Sequence, residues 1–195
     1  MPTLQQLYTQ VTQCSICEAH LPDAPKPILQ VSPHARILII GQAPGRITRE
    51  RGRPWDDASG DRLRDWLQID KHRFYHSGEL GIVPMGFCYP GKGKSGDLPP
   101  RPECAPTWHQ QLIDAMPELK LTLLIGRYAQ DYYLGDKRTL TDRVKDYQPS
   151  SPFICLPHPS PRNGYWLIKN TWFEQRVLTR LRARVQQILS ENQSN

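Results

Sequence analysis

Four of the five cysteines are spaced so that they could ligate a metal together. Cys14 and Cys17 are two residues apart, whereas Cys88 and Cys104 enclose fifteen residues rich in proline, glycine and lysine. Four thiolates can hold an iron–sulfur cluster or a zinc ion. Zinc sites usually use two close pairs, so the wide second pair favours a larger cluster. Ordinary thiols without metal are the alternative, and Cys155, inside an apolar run, is expected to fill the core.

Residues 41–60 contain a second group of chemically suggestive side chains. The turn at 41–45 holds two glycines and a proline, which let the backbone approach a ligand, although a tight strand exit explains it as well. Trp55, beside a proline, could stack on a nucleobase. Asp56 and Asp57 could orient a water molecule as a base. The alternative is a loop aromatic whose neighbouring carboxylates cap the next helix.

Two further loops carry polar and cationic side chains. The prolines that follow His158 make a stiff loop that could present its imidazole to a reacting group, and a structural histidine is the alternative. Ser160 and Arg162 of the same loop could contact phosphates. Lys92 and Lys94 lie between the last two candidate metal ligands. A cationic loop there could hold a DNA backbone, or it could simply keep the surface hydrated.

Composition narrows the function classes. The 195 residues suit one domain, 1–195, with a frayed tail at 190–195, and the net charge of +6 favours a polyanionic partner. No apolar run approaches the roughly 20 residues that cross a bilayer, and the first residues show no signal pattern. The expectation is a cytoplasmic monomer without a membrane segment, in which cysteines serve as metal ligands or thiols instead of disulfides.

Apolar runs and helix signals predict the elements that position these loops. Four buried strands are predicted at 36–41, 82–87, 121–126 and 153–156. Strands that alternate with helices predict a three-layer α/β/α sandwich around a central, mainly parallel four-stranded sheet. The site of such a sheet lies beyond the carboxyl ends of its strands, so the loops after three of the runs should converge there.

Helices are predicted between these strands and at both ends. Thr3 and Gln6 form a capping box for a first helix, and residues 60–67 form another. Thr171 and Glu174 are expected to cap a long final helix. Its inward stripe is predicted to comprise Phe173, Val177, Leu181, Val185 and Ile188.

Taken in order, these segments resemble the uracil-DNA glycosylase superfamily, in particular its iron–sulfur branch. The turn at 41–45 is similar to the first catalytic motif, and residues 52–60 are similar to the loop that carries a base-stacking aromatic. The run from His158 is similar to the second catalytic motif. The resemblance implies that a [4Fe–4S] cluster is held by Cys14, Cys17, Cys88 and Cys104.

The resemblance also implies a reaction. A uracil or another deaminated or damaged base would be flipped out of DNA and its glycosidic bond hydrolysed, which initiates base excision repair. His158 would stabilise the departing base and Trp55 would stack on it. Contacts to the base are implied for Gly41, Gln42 and Ala43, and Gln42 is also a catalytic candidate because the backbone of its turn would help hold the water. Contacts to DNA are implied for Ser160, Pro161, Arg162, Asn163, Lys92 and Lys94.

The sequence departs from the family pattern at three positions. Ala43 stands where many relatives have Asp or Asn, and Gln42 stands where the iron–sulfur branch has Glu. Pro84 occupies the position of a uracil-reading Asn. Asp56 or Asp57 is therefore our hypothesis for the missing catalytic carboxylate. A non-catalytic nucleic-acid-binding protein on the same scaffold, and a hydrolase of free nucleotides, are the alternative functions.

Overall fold

The computed structural model describes residues 2–148 and 150–191, which form two sheets and the helices around them. The strands, in chain order, are β1 (Ile37–Ile40), β2 (Leu80–Ile82), β3 (Lys92–Gly93), β4 (Gly96–Asp97), β5 (Leu121–Ile125) and β6 (Phe153–Leu156). The central sheet has the order β2-β1-β5-β6 and every pair in it is parallel. Strands β3 and β4 form a separate two-stranded hairpin.

Helices cover both faces of the central sheet. In chain order they are α1 (Leu4–Thr12), α2 (Arg46–Arg51), α3 (Ala58–Leu67), α4 (Lys71–His76), α5 (Gln110–Asp114), α6 (Arg127–Leu134), α7 (Leu140–Lys145), α8 (Gly164–Lys169) and α9 (Thr179–Ser190). The predicted capping box of Thr3 and Gln6 is present at α1. None of the helices in the described ranges is long and apolar enough to cross a membrane.

Alternating side chains of the central strands divide the core into two layers. Ile37 and Ile39 pack with α3 and α9 on one face, whereas Leu38 and Ile40 pack with α1 and α5 on the other. All four are fully buried, as expected for a strand covered on both sides. The predicted α/β/α sandwich with a parallel four-stranded sheet is therefore confirmed.

The strand predicted at 82–87 is wrong in its bounds, because β2 ends at Ile82. Pro84 has no backbone N–H, so regular pairing cannot continue through it. The chain nevertheless follows the exit of β1, since the Val83 amide donates to the Ile39 carbonyl over 3.0 Å and the Met85 amide donates to the Gly41 carbonyl over 2.9 Å. The irregular segment at 83–85 therefore runs alongside the end of β1 and the turn that follows it.

The final helix begins differently from the prediction. It begins with a π-helical stretch at Phe173–Leu178. Trp172 is the N-cap residue of this stretch and no side chain caps it, so the predicted capping box of Thr171 and Glu174 is wrong. The five predicted inward residues are all buried, which confirms the stripe. Of the tail predicted to fray, residues 192–195 lie outside the described residues.

Candidate active site

A cavity of about 510 Å³ opens above the carboxyl ends of the strands. Its walls come from the turn after β1, the loop that bears Trp55, the β3–β4 hairpin and the loop after β6. The predicted candidates that line it are Gly41, Gln42, Ala43, Trp55, Asp57, His158, Ser160, Arg162 and Asn163. Segments far apart in sequence therefore meet at one place, as the rule for parallel sheets predicts.

His158 is partly exposed on the cavity side and held by its own loop. The Ser160 backbone N–H donates to the His158 Nδ1 over 3.2 Å, and the Asn163 side chain donates to the His158 carbonyl over 2.8 Å. Burial lowers the pKa of His158 from its ordinary value, and the nearby Asp57 opposes this only in part. The imidazole is therefore neutral at pH 7. Because Nδ1 accepts a hydrogen bond, the proton of the ring resides on Nε2.

Trp55 lies opposite His158, with 5.5 Å between the two ring centroids. Its backbone has a φ of +56°, a left-handed conformation that bulky side chains rarely adopt. The indole packs directly over Gly41, where a Cβ would stand 2.8 Å from the Trp55 Cζ2. Strained backbone of this kind persists only where the surroundings enforce it, and it clusters at functional sites.

A buried network holds Trp55 in this conformation. Arg64 Nη1 donates to the Trp55 carbonyl over 3.0 Å and to the Tyr75 hydroxyl over 3.1 Å. The Tyr75 hydroxyl in turn donates to the Pro54 carbonyl over 2.8 Å. Gly60 packs so closely beneath Trp55 that a side chain there would meet its carbonyl. Sequence reasoning missed Arg64 and Tyr75, although an arginine inside the apolar stripe of α3 is a usable signal.

The two adjacent aspartates are in different environments. Asp57 lines the cavity and also caps α3, because its Oδ1 accepts from the Gly60 backbone N–H over 2.8 Å. Asp56 does not line the cavity; it is buried behind it, and its carboxylate is 2.9 Å from both Lys71 Nζ and Arg53 Nη2. The alternative interpretation, a carboxylate that caps a helix, is therefore correct for Asp57, and Asp56 is placed where it supports the fold.

Replacement of Asp56 by asparagine is expected to lower the free energy of unfolding by roughly 1 to 2 kcal/mol at pH 7. The hydrogen bond from Lys71, assisted by Arg53, lowers the pKa of Asp56 to about 2. A lowered pKa stabilises the fold above the unfolded value of about 3.9, and this contribution is lost as the pH falls toward 2. Urea unfolding at pH 7 and pH 3 should show a difference that shrinks at the lower pH. Equal stability of both proteins at pH 7 would contradict the assignment.

A buried histidine, His109, fixes the segment around Pro84, which lines the cavity. His109 Nε2 donates to the Pro84 carbonyl over 3.0 Å, and its Nδ1 lies 2.7 Å from the Tyr133 hydroxyl. Burial lowers the pKa of His109 to about 4, so the ring is neutral and both contacts persist at pH 7. Pro84 thus presents a proline ring to the cavity while its carbonyl is occupied. No local signal identifies His109 or Tyr133 in the sequence.

Of the remaining candidates for DNA contact, Arg162 lines the cavity, whereas Lys92, Lys94 and Pro161 do not. Lys92 and Lys94 are exposed on the β3–β4 hairpin, and Pro161 and Arg162 are exposed on the loop after β6. The Arg162 Nη1 comes within 3.5 Å of the position that a Cβ would occupy at Gly96, so this loop and the hairpin meet across the opening.

Comparison with known families agrees with this geometry. The sequence profile of the Uracil DNA glycosylase superfamily matches residues 29–182, most of the chain. The chain belongs to this superfamily. The matched range contains every residue that lines the cavity except Ile28, and membership supports a DNA glycosylase-type function in general. Cys14 and Cys17 precede the matched range, whereas the other two candidate ligands fall within it.

The four candidate ligand cysteines of this superfamily member lie near enough for their charges to interact. Burial raises the pKa of Cys104 to about 12, and the charges of Cys17, Cys88 and Cys14 act in the same direction. Burial raises the pKa of Cys88 to about 11. All five cysteines are free thiols. In the part of the chain that the structure describes, no three ligating side chains are set tightly enough for a single metal ion.

Proposed function

We propose that this protein is a DNA glycosylase that hydrolyses the bond between deoxyribose and a uracil or another deaminated or damaged base, and thereby begins base excision repair. The observation that supports it is the pair formed by a neutral His158 and the opposed Trp55 ring, 5.5 Å apart in one cavity. A base extruded from DNA would enter this cavity and stack against the indole.

His158 acts on the leaving base. As the bond from C1′ to the base nitrogen breaks, its electron pair moves onto the base and the sugar becomes oxocarbenium-like. The Nε2–H of the neutral imidazole donates a hydrogen bond to the base oxygen on which negative charge develops. A preorganised donor of this kind contributes about 3 to 4 kcal/mol to the transition state. The backbone around Gly41, Gln42 and Ala43 also lines the cavity, where it would hold the base in place.

DNA is held by the rim of the cavity. The Ser160 Oγ accepts from the Arg162 backbone N–H over 3.2 Å, which leaves its own proton for a phosphate oxygen. The exposed Pro161 and Arg162 would enter the duplex where the base has left. Lys92 and Lys94 would contact the phosphate backbone of the DNA next to the flipped base. The net charge of +6 agrees with a polyanionic partner.

We propose that the four cysteines hold a [4Fe–4S] cluster, for which their spacing in the sequence is the support. Cys88 and Cys104 are separated by fifteen residues, which is unlike the two close pairs of usual zinc sites. A cluster several atoms across accepts thiolates that stand further apart. Cys14, Cys17, Cys88 and Cys104 would hold it. Its contribution would be structural, because it would brace the segment between Cys88 and Cys104 that carries the β3–β4 hairpin.

The test is excision from oligonucleotides that contain uracil, hypoxanthine or xanthine, in single-stranded and double-stranded form. Alkali-labile abasic sites are the expected product. Anaerobically purified protein should contain about four iron and four sulfide per chain, and Cys88→Ser should lose them. Zinc in place of iron would contradict the cluster assignment.

A non-catalytic nucleic-acid-binding protein is the second candidate, since Ala43 and Pro84 stand at positions where relatives carry reactive or base-reading side chains. It predicts salt-sensitive DNA binding with no abasic product on any substrate of the panel. Product formation would exclude it.

Gly41→Ala is expected to slow excision by about 10- to 100-fold with little change in melting temperature. The new Cβ would stand 2.8 Å from the Trp55 Cζ2, so the indole must move away from the base position. A displacement of about 1 Å in a positioning group can reduce a rate by about 100-fold. Single-turnover excision and thermal unfolding measure the two effects, and an unchanged rate would show that the Trp55 position is unimportant.

A further inference from the structure

A carboxylate near the attacking water would accelerate hydrolysis by accepting the water proton, and the first motif supplies none. Gln42 and Ala43 cannot accept a proton from water, so the group must come from another segment. Two carboxylates line the cavity within the described residues, those of Asp57 and Asp97. They approach it from different elements, the start of α3 and the β3–β4 hairpin.

Asp57 is already engaged. Its Oδ1 caps α3 at Gly60, and its charge acts on His158, whose pKa it raises against the effect of burial. A carboxylate in this position stabilises the helix that carries Gly60 and Arg64. These two residues hold Trp55 in place. If Asp57 also activated the water, the same carboxylate would have to cap α3 and act as the base.

Asp97 is built into the cavity differently. The Leu98 amide donates to the Gly91 carbonyl over 2.8 Å, which closes the hairpin, and Asp97 Oδ2 lies 3.5 Å from where a Cβ would stand at Gly45. The hairpin thus delivers a carboxylate to the end of the turn that lacks one. Within the described residues, neither Asp97 oxygen accepts a side-chain hydrogen bond or forms an ion pair. Many other carboxylates of the protein form an ion pair with an arginine or lysine side chain. Examples are Asp56, Asp61, Glu79, Glu103 and Asp136.

Resting on the proposed function, we infer that Asp97 is the catalytic carboxylate that orients and deprotonates the attacking water. The water oxygen bonds to C1′ as the bond to the base breaks, the electron pair of that bond leaves with the base, and the water proton passes to Asp97. The hydrogen bond from His158 stabilises the base anion. No oxidant or further reactant is required.

The charged surroundings of Asp97 suit this role. Arg162 on the loop after β6 and Lys92 on the hairpin face it, and Tyr89 is the third titratable neighbour. Asp97 is exposed as a residue, but desolvation by the walls of the cavity raises the pKa of its carboxylate despite these two cations, which makes the carboxylate a better proton acceptor.

Asp97→Asn tests the inference in single-turnover excision by the full chain. The rate constant is expected to fall by about 100-fold or more, the usual contribution of a general base. Binding of an oligonucleotide with a non-hydrolysable 2′-fluoro nucleotide should be unchanged or tighter, because a negative charge is removed from the DNA side. The wild-type rate should fall at low pH as the carboxylate is protonated, and the variant should lose this dependence.

Asp23→Asn is the matched control. It removes an exposed carboxylate that pairs with Arg49 outside the cavity, so excision should proceed at the wild-type rate. If Asp97→Asn excises as fast as wild type and only binds DNA more tightly, Asp97 merely neutralises Arg162 and the inference is overturned while the proposed function stands. If wild type excises none of the bases tested, the proposed function and this inference both fail.

Discussion

His158→Ala is expected to slow base excision by about 100- to 1,000-fold while DNA binding persists. The neutral ring donates from Nε2 to the departing base, because the Ser160 amide occupies Nδ1. Alanine removes that donor and leaves the Trp55 wall and the cationic rim in place. Single-turnover excision and binding of uncleaved DNA, measured on the same preparation, separate the two effects.

A glutamine at position 158 is the informative companion variant. Its side-chain amide also carries N–H donors, so His158→Gln should retain part of the rate that alanine loses. Because burial places the His158 pKa below its ordinary value of about 6.5, wild-type excision should not gain from protonation of this ring between pH 6.5 and 8. Excision by His158→Ala at the wild-type rate would remove the imidazole from the mechanism.

Gly60→Ala is expected to destabilise the protein by about 3 kcal/mol, a fall of roughly 10 °C in melting temperature. In an ordinary helix the same change stabilises by about 1 kcal/mol. Here the added Cβ would stand 1.7 Å from the Trp55 carbonyl oxygen and 2.5 Å from its carbon, both of which are backbone atoms that cannot rotate away. Helix α3 and the loop before it must separate, and the Arg64 bond to that carbonyl is lost.

Gly164→Ala is the matched control for this prediction. Gly164 begins α8 with a φ of −53°, and nothing lies within 4 Å of an added Cβ. Its melting temperature should be unchanged or slightly higher in thermal unfolding followed by circular dichroism. Equal melting temperatures for Gly60→Ala and wild type would contradict the packing of Trp55 against α3.

Local sequence signals were sufficient for much of the scaffold. The apolar runs at β1, β5 and β6 predict those strands because strands of a parallel sheet covered by helices are mostly apolar. The strand after Gly81 was misplaced, because side-chain hydrophobicity at 82–87 hid the effect of Pro84 on backbone pairing. The start of the last helix was misplaced because Thr171 and Glu174 have suitable spacing but tertiary packing sets the helix entry.

The candidate site was predictable only where residues carry their own signal. Trp55 and His158 stand in distinctive loops, and the rule for parallel sheets placed them together. Arg64 and Tyr75 act through bonds to backbone carbonyls that only the folded chain brings near. Asp97 has no distinguishing signal in the sequence. It lies in a glycine-rich loop, and no spacing rule predicts that a hairpin brings it close to Gly45.

The order of the central sheet has a consequence for how a growing chain folds. Strand β1 lies between β2 and β5, and its partner Leu121 is made roughly 80 residues after Ile40. At ribosomal rates of about 5 to 20 residues per second, one edge of β1 stays unpaired for about 4 to 16 s until β5 is synthesised. Through this interval a fully apolar stretch has an open edge, so nascent chains that fail to mature should associate through residues 37–40.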